Sequence, residues 1–136
     1  MLSKKLEEVF SLAVKEVRRR RHEFLTLEHL LYAVVQEDTG KEIMLGCGVD
    51  IGRLENQLER YFNEHMEIIP QSESGEVIQT LSVQRVFQRA ILHMQSAGKN
   101  TVNVGDFLAS LIDEEDSYAV FFLKSLPRSA DIDERG

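Results

Sequence analysis

The 136-residue sequence is poor in the residues that mark several protein classes. It has two prolines, no tryptophan and one cysteine, Cys47, so an intramolecular disulfide is excluded and a reducing compartment such as the cytoplasm is favoured. No apolar run approaches the length of a membrane span, and charges near the start argue against a signal peptide. The net charge of -7 argues against nucleic acid and suits protein partners that carry positive charge.

Catalytic motifs are missing as well. The chain contains no GxxxxGK(S/T) phosphate loop, no GxGxxG and no HExxH. Cys47 lies in the apolar stretch 43–49, which favours a buried core thiol over an activated nucleophile. Adjacent carboxylates such as Glu114 and Glu115 diverge on a helix and make poor acid/base pairs. We therefore expect no catalytic residue and no cofactor in this chain.

The histidines and one run of arginines are the remaining candidates for chemistry. His22, His65 and His93 could meet around a zinc ion with Glu64, but no spacing in the sequence demands it. All four histidines of the chain are instead expected to be ordinary surface or half-buried residues. The arginine run 18–21 indicates a solvated helix end whose cations complement the helix dipole, with anion binding as the less favoured alternative.

The strongest positive feature is a hydrophobic pattern that occurs twice, the second copy 77 residues after the first. Apolar residues recur at helical spacing in both copies, although few are identical. A duplicated helical unit that cannot close its own core must bury it against its twin. We expect Phe10 and Phe87 to occupy equivalent buried positions. Other matched pairs are Leu6 with Val83, Val9 with Val86, Ala13 with Ala90, Leu30 with Phe107, and Val34 with Leu111.

The repeat predicts an all-α, pseudo-twofold domain of about seven to eight helices. Repeat 1 covers about 2–66, and repeat 2 covers about 81–136 with its last helix truncated. Between them lies a linker loop over about 67–80, which is expected to be mobile at 71–76. The whole chain, 1–136, is expected to form a single compact domain.

Helix starts are predicted from capping residues. The first helix of repeat 1 is expected over about 4–20, and Gly98 is expected to end its counterpart in repeat 2. The predicted caps are Thr26, Thr39 and Asp50 in repeat 1, and Ser82, Asn103, Asp116 or Ser117, and Asp131 in repeat 2.

Two segments carry a family resemblance. Residues 21–31, RHEFLTLEHLL, resemble the first-repeat signature of the Clp N-terminal domain. Residues 80–90, TLSVQRVFQRA, followed by the turn 95–98, resemble the signature of the second repeat. Together with Cys47, these features are most similar to the ClpA branch of the family. The resemblance extends over about 2–126.

The resemblance implies a function that composition does not. Domains of this family are all-helical protein-binding modules above an AAA+ ATPase ring, and the ATP and Mg²⁺ sites lie elsewhere in the parent protein. In the ClpA branch the domain docks the adaptor ClpS and meets some protein substrates directly, and the ring works with the peptidase ClpP. The adaptor-facing positions carry over to Glu23, Glu28, Thr80 and Arg85, which are polar and expected at helix edges or caps.

Each of these positions also has a local interpretation. Glu28 would stabilise the first turn of its helix through the dipole, Thr80 would begin the second repeat, and Glu23 and Arg85 would be solvated. The isolated domain is expected to be a cytoplasmic monomer that binds neither nucleic acid nor membrane. A freestanding protein of this fold, binding peptides or an adaptor without an attached ATPase, is the alternative. A metal-dependent enzyme built on the histidines is the least favoured hypothesis.

Overall fold

The structure is a computed structural model that describes residues 1–70 and 76–125. Within these residues it contains seven α-helices and two strands of two residues each, which confirms the all-α prediction. The predicted helix after Asp131 and nearly all of the segment predicted to be mobile lie outside the described residues. The helices are α1 (Lys4–Arg19), α2 (Leu27–Gln36), α3 (Asp38–Gly46), α4 (Ile51–His65), α5 (Leu81–Ser96), α6 (Val104–Ile112) and α7 (Tyr118–Ser125), and the strands are β1 (Phe24–Leu25) and β2 (Ile78–Gln79).

The two halves of the chain are related by a pseudo-twofold axis. β1 and β2 pair in parallel, with Leu25 opposite Gln79. A shift of 77 residues converts this pair into Val102 and Leu2, and those two residues form a second parallel bridge. A twofold axis requires this exchange, because a contact from one position to another must recur with the two positions swapped. The register of the repeat is therefore confirmed.

Phe10 and Phe87 meet across this axis, with their ring centroids 5.7 Å apart. Their equivalence is confirmed, but the prediction that both positions are buried is wrong, because both rings are half-buried. On α1 and α5, the stripe that faces the core is centred on residues beside Phe10 and Phe87 and not on these two residues. Its fully buried members are Leu6, Val9, Ala13 and Val17 in α1, and Val83, Val86 and Ala90 in α5.

Capping residues define most helix starts. Thr26 and Asn103 cap the twofold-related helices α2 and α6, as predicted, and in the structure each forms a capping box. The first helix of each repeat begins after Ser3 and Thr80, whose hydroxyls accept backbone N–H groups. Thr80, and not the predicted Ser82, is therefore the cap of α5.

α3 differs most from its prediction. It begins after Glu37, whose carboxylate accepts the N–H of Gly40 at 2.8 Å, so Thr39 is not its cap. Only Gly40 and Met44 are buried, one helical turn apart. Cys47 at the end of the helix is turned away from the core and exposed, so the prediction of a buried thiol is wrong.

The helices of the two repeats pack into one core. α3 packs on α6, and its twofold equivalent α7 packs on α2 and α4. Among the described residues, no helix is long and apolar enough to cross a membrane. In the same ranges, 1–70 and 76–125, no three His, Cys, Asp or Glu side chains gather to hold a metal ion.

Candidate functional site

A groove lies where α2, α4, α5 and α7 approach one another. It consists of two adjoining depressions of about 230 and 380 Å³, which share Thr26, Tyr61 and Thr80. Both repeats contribute to its walls, so the groove depends on their packing. Its other lining residues are Glu23, Phe24, Leu27, Glu28, His65, Met66, Glu67, Ile69, Ser82, Asp116, Ser117 and Tyr118.

Three of the four residues predicted to face a partner line this groove. Glu23 is exposed in the turn before β1, Thr80 is half-buried at the start of α5, and Glu28 lies in the floor. Arg85 lies outside, one turn further along α5, with its Nη2 3.1 Å from the hydroxyl of Ser82 at the margin. The fold thus gathers the first three and leaves Arg85 at the edge. A binding role for the four stays a prediction.

Arg85 is oriented by an ion pair with Glu114. Its Nη2 lies 2.6 Å from Oε2 of Glu114, and Arg89 binds the other carboxylate oxygen at 3.2 Å. The Arg85 hydrogen bond and then that of Arg89 hold the pKa of Glu114 below its ordinary value. The Arg85 side chain is still about half exposed, so its outer face is accessible to a partner.

Glu28 lies in the first turn of α2, as predicted, but its side chain is buried. Only 5% of its surface is exposed, and its Oε2 accepts the backbone N–H of Ala119 at 2.9 Å. The side chains of Thr26 and Tyr61 are also hydrogen-bonded to it. Burial raises the pKa of Glu28, and these hydrogen bonds, led by that of Ala119, oppose the rise. The carboxylate therefore joins α2, α4 and α7 from within.

Tyr61 forms the middle of one wall, and no sequence motif singled it out. Its ring centroid lies 4.8 Å from that of Tyr118 and 5.5 Å from that of His65. Burial, followed by the nearby Glu28 carboxylate, raises the pKa of Tyr61 to about 12. The hydroxyl therefore stays protonated and is able to donate to Glu28. Tyr61 directly precedes Phe62, an apolar residue that is buried in the structure, and that adjacency was the available clue.

A buried histidine pair supports the turn that carries Glu23. The Thr26 N–H donates to Nδ1 of His29 at 3.1 Å, so the proton of the neutral ring lies on Nε2 and faces Nδ1 of His22 at 2.9 Å. His29 stacks on Phe62 with centroids 4.7 Å apart. Burial lowers both pKa values, that of His29 to about 3. For these two residues the prediction of surface or half-buried histidines is wrong.

Arg20, the residue directly after α1, packs on the same Phe62 ring that stacks on His29. Its guanidinium binds Glu16 and Glu59 and lies 4.6 Å from the ring centroid of Phe62. Only 9% of its side chain is exposed, so the prediction of a solvated helix end fails here. Arg18 and Arg19 are exposed as predicted.

The rim of the groove combines acidic and apolar groups. Glu23, Glu67 and Asp116 supply carboxylates that line it. Phe24 is 41% exposed and Tyr118 is 45% exposed. Exposed aromatic rings beside charged groups are typical of protein-binding surfaces, whereas small-molecule sites enclose their ligand more fully.

Comparison with known proteins shows similarity in sequence and in fold. The model of the Clp repeat N-terminal domain family matches residues 1–126. A ClpA homolog protein of Fuscovulum blasticum is 35% identical over 123 residues, which cover 90% of this chain and 16% of that protein. The chain thus spans about a sixth of the length of this relative.

Solved structures extend the likeness to the fold. The Hsp104 N-terminal domain of Candida albicans is 16% identical with a TM-score of 0.80, covering 99% of this chain and 91% of that one. The N-terminal domain of the chaperone ClpD from Arabidopsis thaliana is 19% identical with a TM-score of 0.68, covering 96% and 90%. A ClpV N-domain in complex with a VipB peptide is 14% identical with a TM-score of 0.69, covering 92% and 78%.

Proposed function

Because the chain belongs to the Clp N-terminal domain family, we propose that it is the protein-binding module of a ClpA-like AAA+ ATPase. In this proposal its groove docks the adaptor ClpS and protein substrates. The observation that carries the proposal is the convergence of Glu23, Glu28 and Thr80 on one groove between the repeats. These residues are separated in sequence by more than fifty positions at the widest, and the pseudo-twofold packing brings them together.

The surface chemistry of the groove supports a protein ligand. Its exposed aromatic rings offer apolar area, and its acidic rim favours partners with positive charge. The binding of a VipB peptide by the ClpV N-domain supports peptide recognition by this fold. In our proposal the parent ring in the cytoplasm supplies the ATP and Mg²⁺ chemistry and hands substrates to ClpP, and this chain itself contributes binding.

Titration of the chain with a purified ClpS protein tests the proposal. We expect saturable binding, and we expect Glu23→Lys to weaken it at least tenfold, because the reversal puts a cation on the acidic rim. Glu42→Lys on α3 is the matched control, since Glu42 is an exposed glutamate that does not line the groove. Absence of binding, or equal weakening by the two reversals, would contradict the proposal.

A further inference from the structure

The start of α7 is held by a residue of the other repeat. The first turn of a helix leaves its N–H groups without partners inside the helix. In α7 the Val120 N–H donates to the hydroxyl of Ser117 at 3.1 Å, which is a local cap. The Ala119 N–H donates instead to the Glu28 carboxylate, which lies 91 positions earlier in the chain. The carboxylate is also well placed for the positive end of the helix dipole.

Glu28 presents little surface to a partner. Its side chain is enclosed by the Ala119 N–H and by the hydrogen-bonded side chains of Thr26 and Tyr61. Together with the Glu28 backbone N–H, these groups satisfy the carboxylate from inside the protein and leave little of it for a partner's cation. What a partner meets is the wall on either side, formed by Tyr61 on α4 and by Ser117 and Tyr118 at the start of α7.

The hydrogen bond between the Ala119 N–H and the Glu28 carboxylate has no counterpart at the twofold-related location. The positions equivalent to Glu28 and Ala119 are Gly105 and Glu42, which cannot reproduce this bond because Gly105 has no side chain. There, α3 is capped by Glu37, the residue directly before it. The long-range cap therefore occurs only beside the groove, among the described residues.

We propose that Glu28 is a positioning residue of the docking groove: it fixes the first turn of α7 against Tyr61, and the partner contacts that wall and not the Glu28 carboxylate. This inference rests on the proposed function, because it assumes that the groove is the docking surface. It separates two roles for one side chain, a hydrogen-bond acceptor for α7 and a charge for the partner.

Two substitutions separate these roles. Glu28→Gln keeps the length and one acceptor oxygen for the Ala119 N–H but removes the charge. Glu28→Asp keeps the charge but is one methylene shorter, so its carboxylate falls short of that N–H. With a purified ClpS protein as the probe, we expect Glu28→Gln to bind within about threefold of the wild type and Glu28→Asp to bind at least tenfold more weakly.

Amide hydrogen exchange provides a second measurement on the same variants. We expect faster exchange at Ala119 and Val120 in Glu28→Asp and near-native exchange in Glu28→Gln. The inference is overturned if Glu28→Gln loses binding at least tenfold while α7 exchange is unchanged. If Glu28→Asp does not fold, the Glu28→Gln affinity alone decides, in the same direction.

Tyr118→Ala distinguishes a failure of the groove from a failure of this inference. Tyr118 is an exposed wall residue, and we expect its removal to weaken ClpS binding at least tenfold. If Tyr118→Ala and Glu23→Lys both leave ClpS affinity unchanged, the proposed docking surface is wrong. If they weaken binding and Glu28→Asp does not, only the positioning role fails.

Discussion

Two regions related by the twofold axis, here called the first and second corners, have the same backbone geometry but different chemistry. In the first, Nδ1 of His22 and Nε2 of His29 are 2.9 Å apart and both rings are buried. The equivalent positions in the second hold Lys99 and Asp106, whose Nζ and Oδ2 are 2.7 Å apart in a partly exposed ion pair. His29 and Asp106 each occupy the third position of a capping box. The two corners thus use one backbone design.

The difference follows from what covers each corner. Phe62 of α4 stacks on His29 and is itself 1% exposed, so the first corner is shielded from water. An ion pair there would bear a large desolvation cost, whereas two neutral imidazoles do not. The second corner has no such ring over it in the described chain, and Asp106 and Lys99 keep 26% and 41% of their side chains exposed. Burial, and not backbone geometry, selects the pair.

Removal of the Phe62 ring, which shields the first corner from water, should have the largest effect on the difference between the two corners. Phe62→Ala should lower the free energy of unfolding by about 3–5 kcal/mol, because a large buried ring leaves a cavity. The pKa of His29 should rise from about 3 towards its ordinary value as water reaches the ring. Denaturant unfolding and an NMR titration of His29 measure the two effects.

Tyr118→Ala is the control for loss of an aromatic ring, since Tyr118 is 45% exposed and should cost much less stability. An unchanged His29 pKa in Phe62→Ala, or a stability loss no larger than that of Tyr118→Ala, would show that the ring is not what shields the corner.

Acid is the next probe, because the histidines of the first corner are protonated near their ordinary pKa of 6.5 in the unfolded chain, whereas burial lowers their pKa in the folded chain. The unfolded chain protonates His29 below about pH 6.5, and the folded chain resists protonation down to about pH 3. Stability due to the neutral ring is therefore present above pH 6.5 and is lost as the pH falls. For one histidine, the free energy of unfolding changes by at most about 1.4 kcal/mol per pH unit. Denaturant unfolding at pH 7 and pH 5 measures it.

Two variants separate the contribution of His29 to this pH dependence from that of other titrating groups. The raised pKa of Glu28 has the opposite sign, since its burial makes stability fall as the pH rises above 4.5. His29→Gln retains a side chain suited to the capping box and should have a weaker dependence on pH. Asp106→Asn should keep the wild-type dependence, because the pKa of Asp106 is held below 3.8 by the Asn103 N–H and then by Lys99. Equal slopes in wild type and His29→Gln would refute the assignment.

The contrast between the two corners also explains which features of the fold could be predicted from the sequence. Periodicity and caps are local, so the repeat, its register and the starts at Thr26, Asp50 and Asn103 could be predicted from the sequence. The exposure of Cys47 was missed because an apolar neighbourhood in sequence does not show which face of a short helix meets the core. The burial of His22 depends on side chains that other helices bring to it.

For the candidate site, the sequence indicated positions that share a groove but not the contacts they make, and their binding role stays a prediction. Glu23 and Thr80 could be placed at the groove from the family signatures. The bond from Glu28 to Ala119 could not, because it depends on how the two repeats are placed relative to each other. Tyr61 was missed for the same reason, since its partners Glu28 and Tyr118 lie on other helices.

Capping substitutions should give intermediate effects and should differ between the corners. Thr26→Ala should cost about 1–2 kcal/mol and Asn103→Ala about 0.5–1 kcal/mol. The larger loss is expected at Thr26 because its hydroxyl also lies 2.8 Å from Nδ1 of buried His29. Thermal unfolding of the two variants in one buffer gives the comparison. Equal losses would mean that the buried contact adds nothing to the cap.

The smallest effect is expected at the exposed ion pair. Lys99→Met should change the free energy of unfolding by no more than about 0.2–1 kcal/mol, because an exposed pair gains little in water. The change should shrink between low salt and 1 M salt, where the Debye length is only about 3 Å.

His22→Met is the matched variant at the twofold-related position, and it leaves the Nε2–H of His29 buried without its acceptor. Its cost should be about 1–3 kcal/mol and should not depend on salt. Denaturant unfolding of both variants at the two salt concentrations tests the pair together. A salt-dependent loss in His22→Met would mean that the first corner is charged, and the contrast between the corners would be wrong.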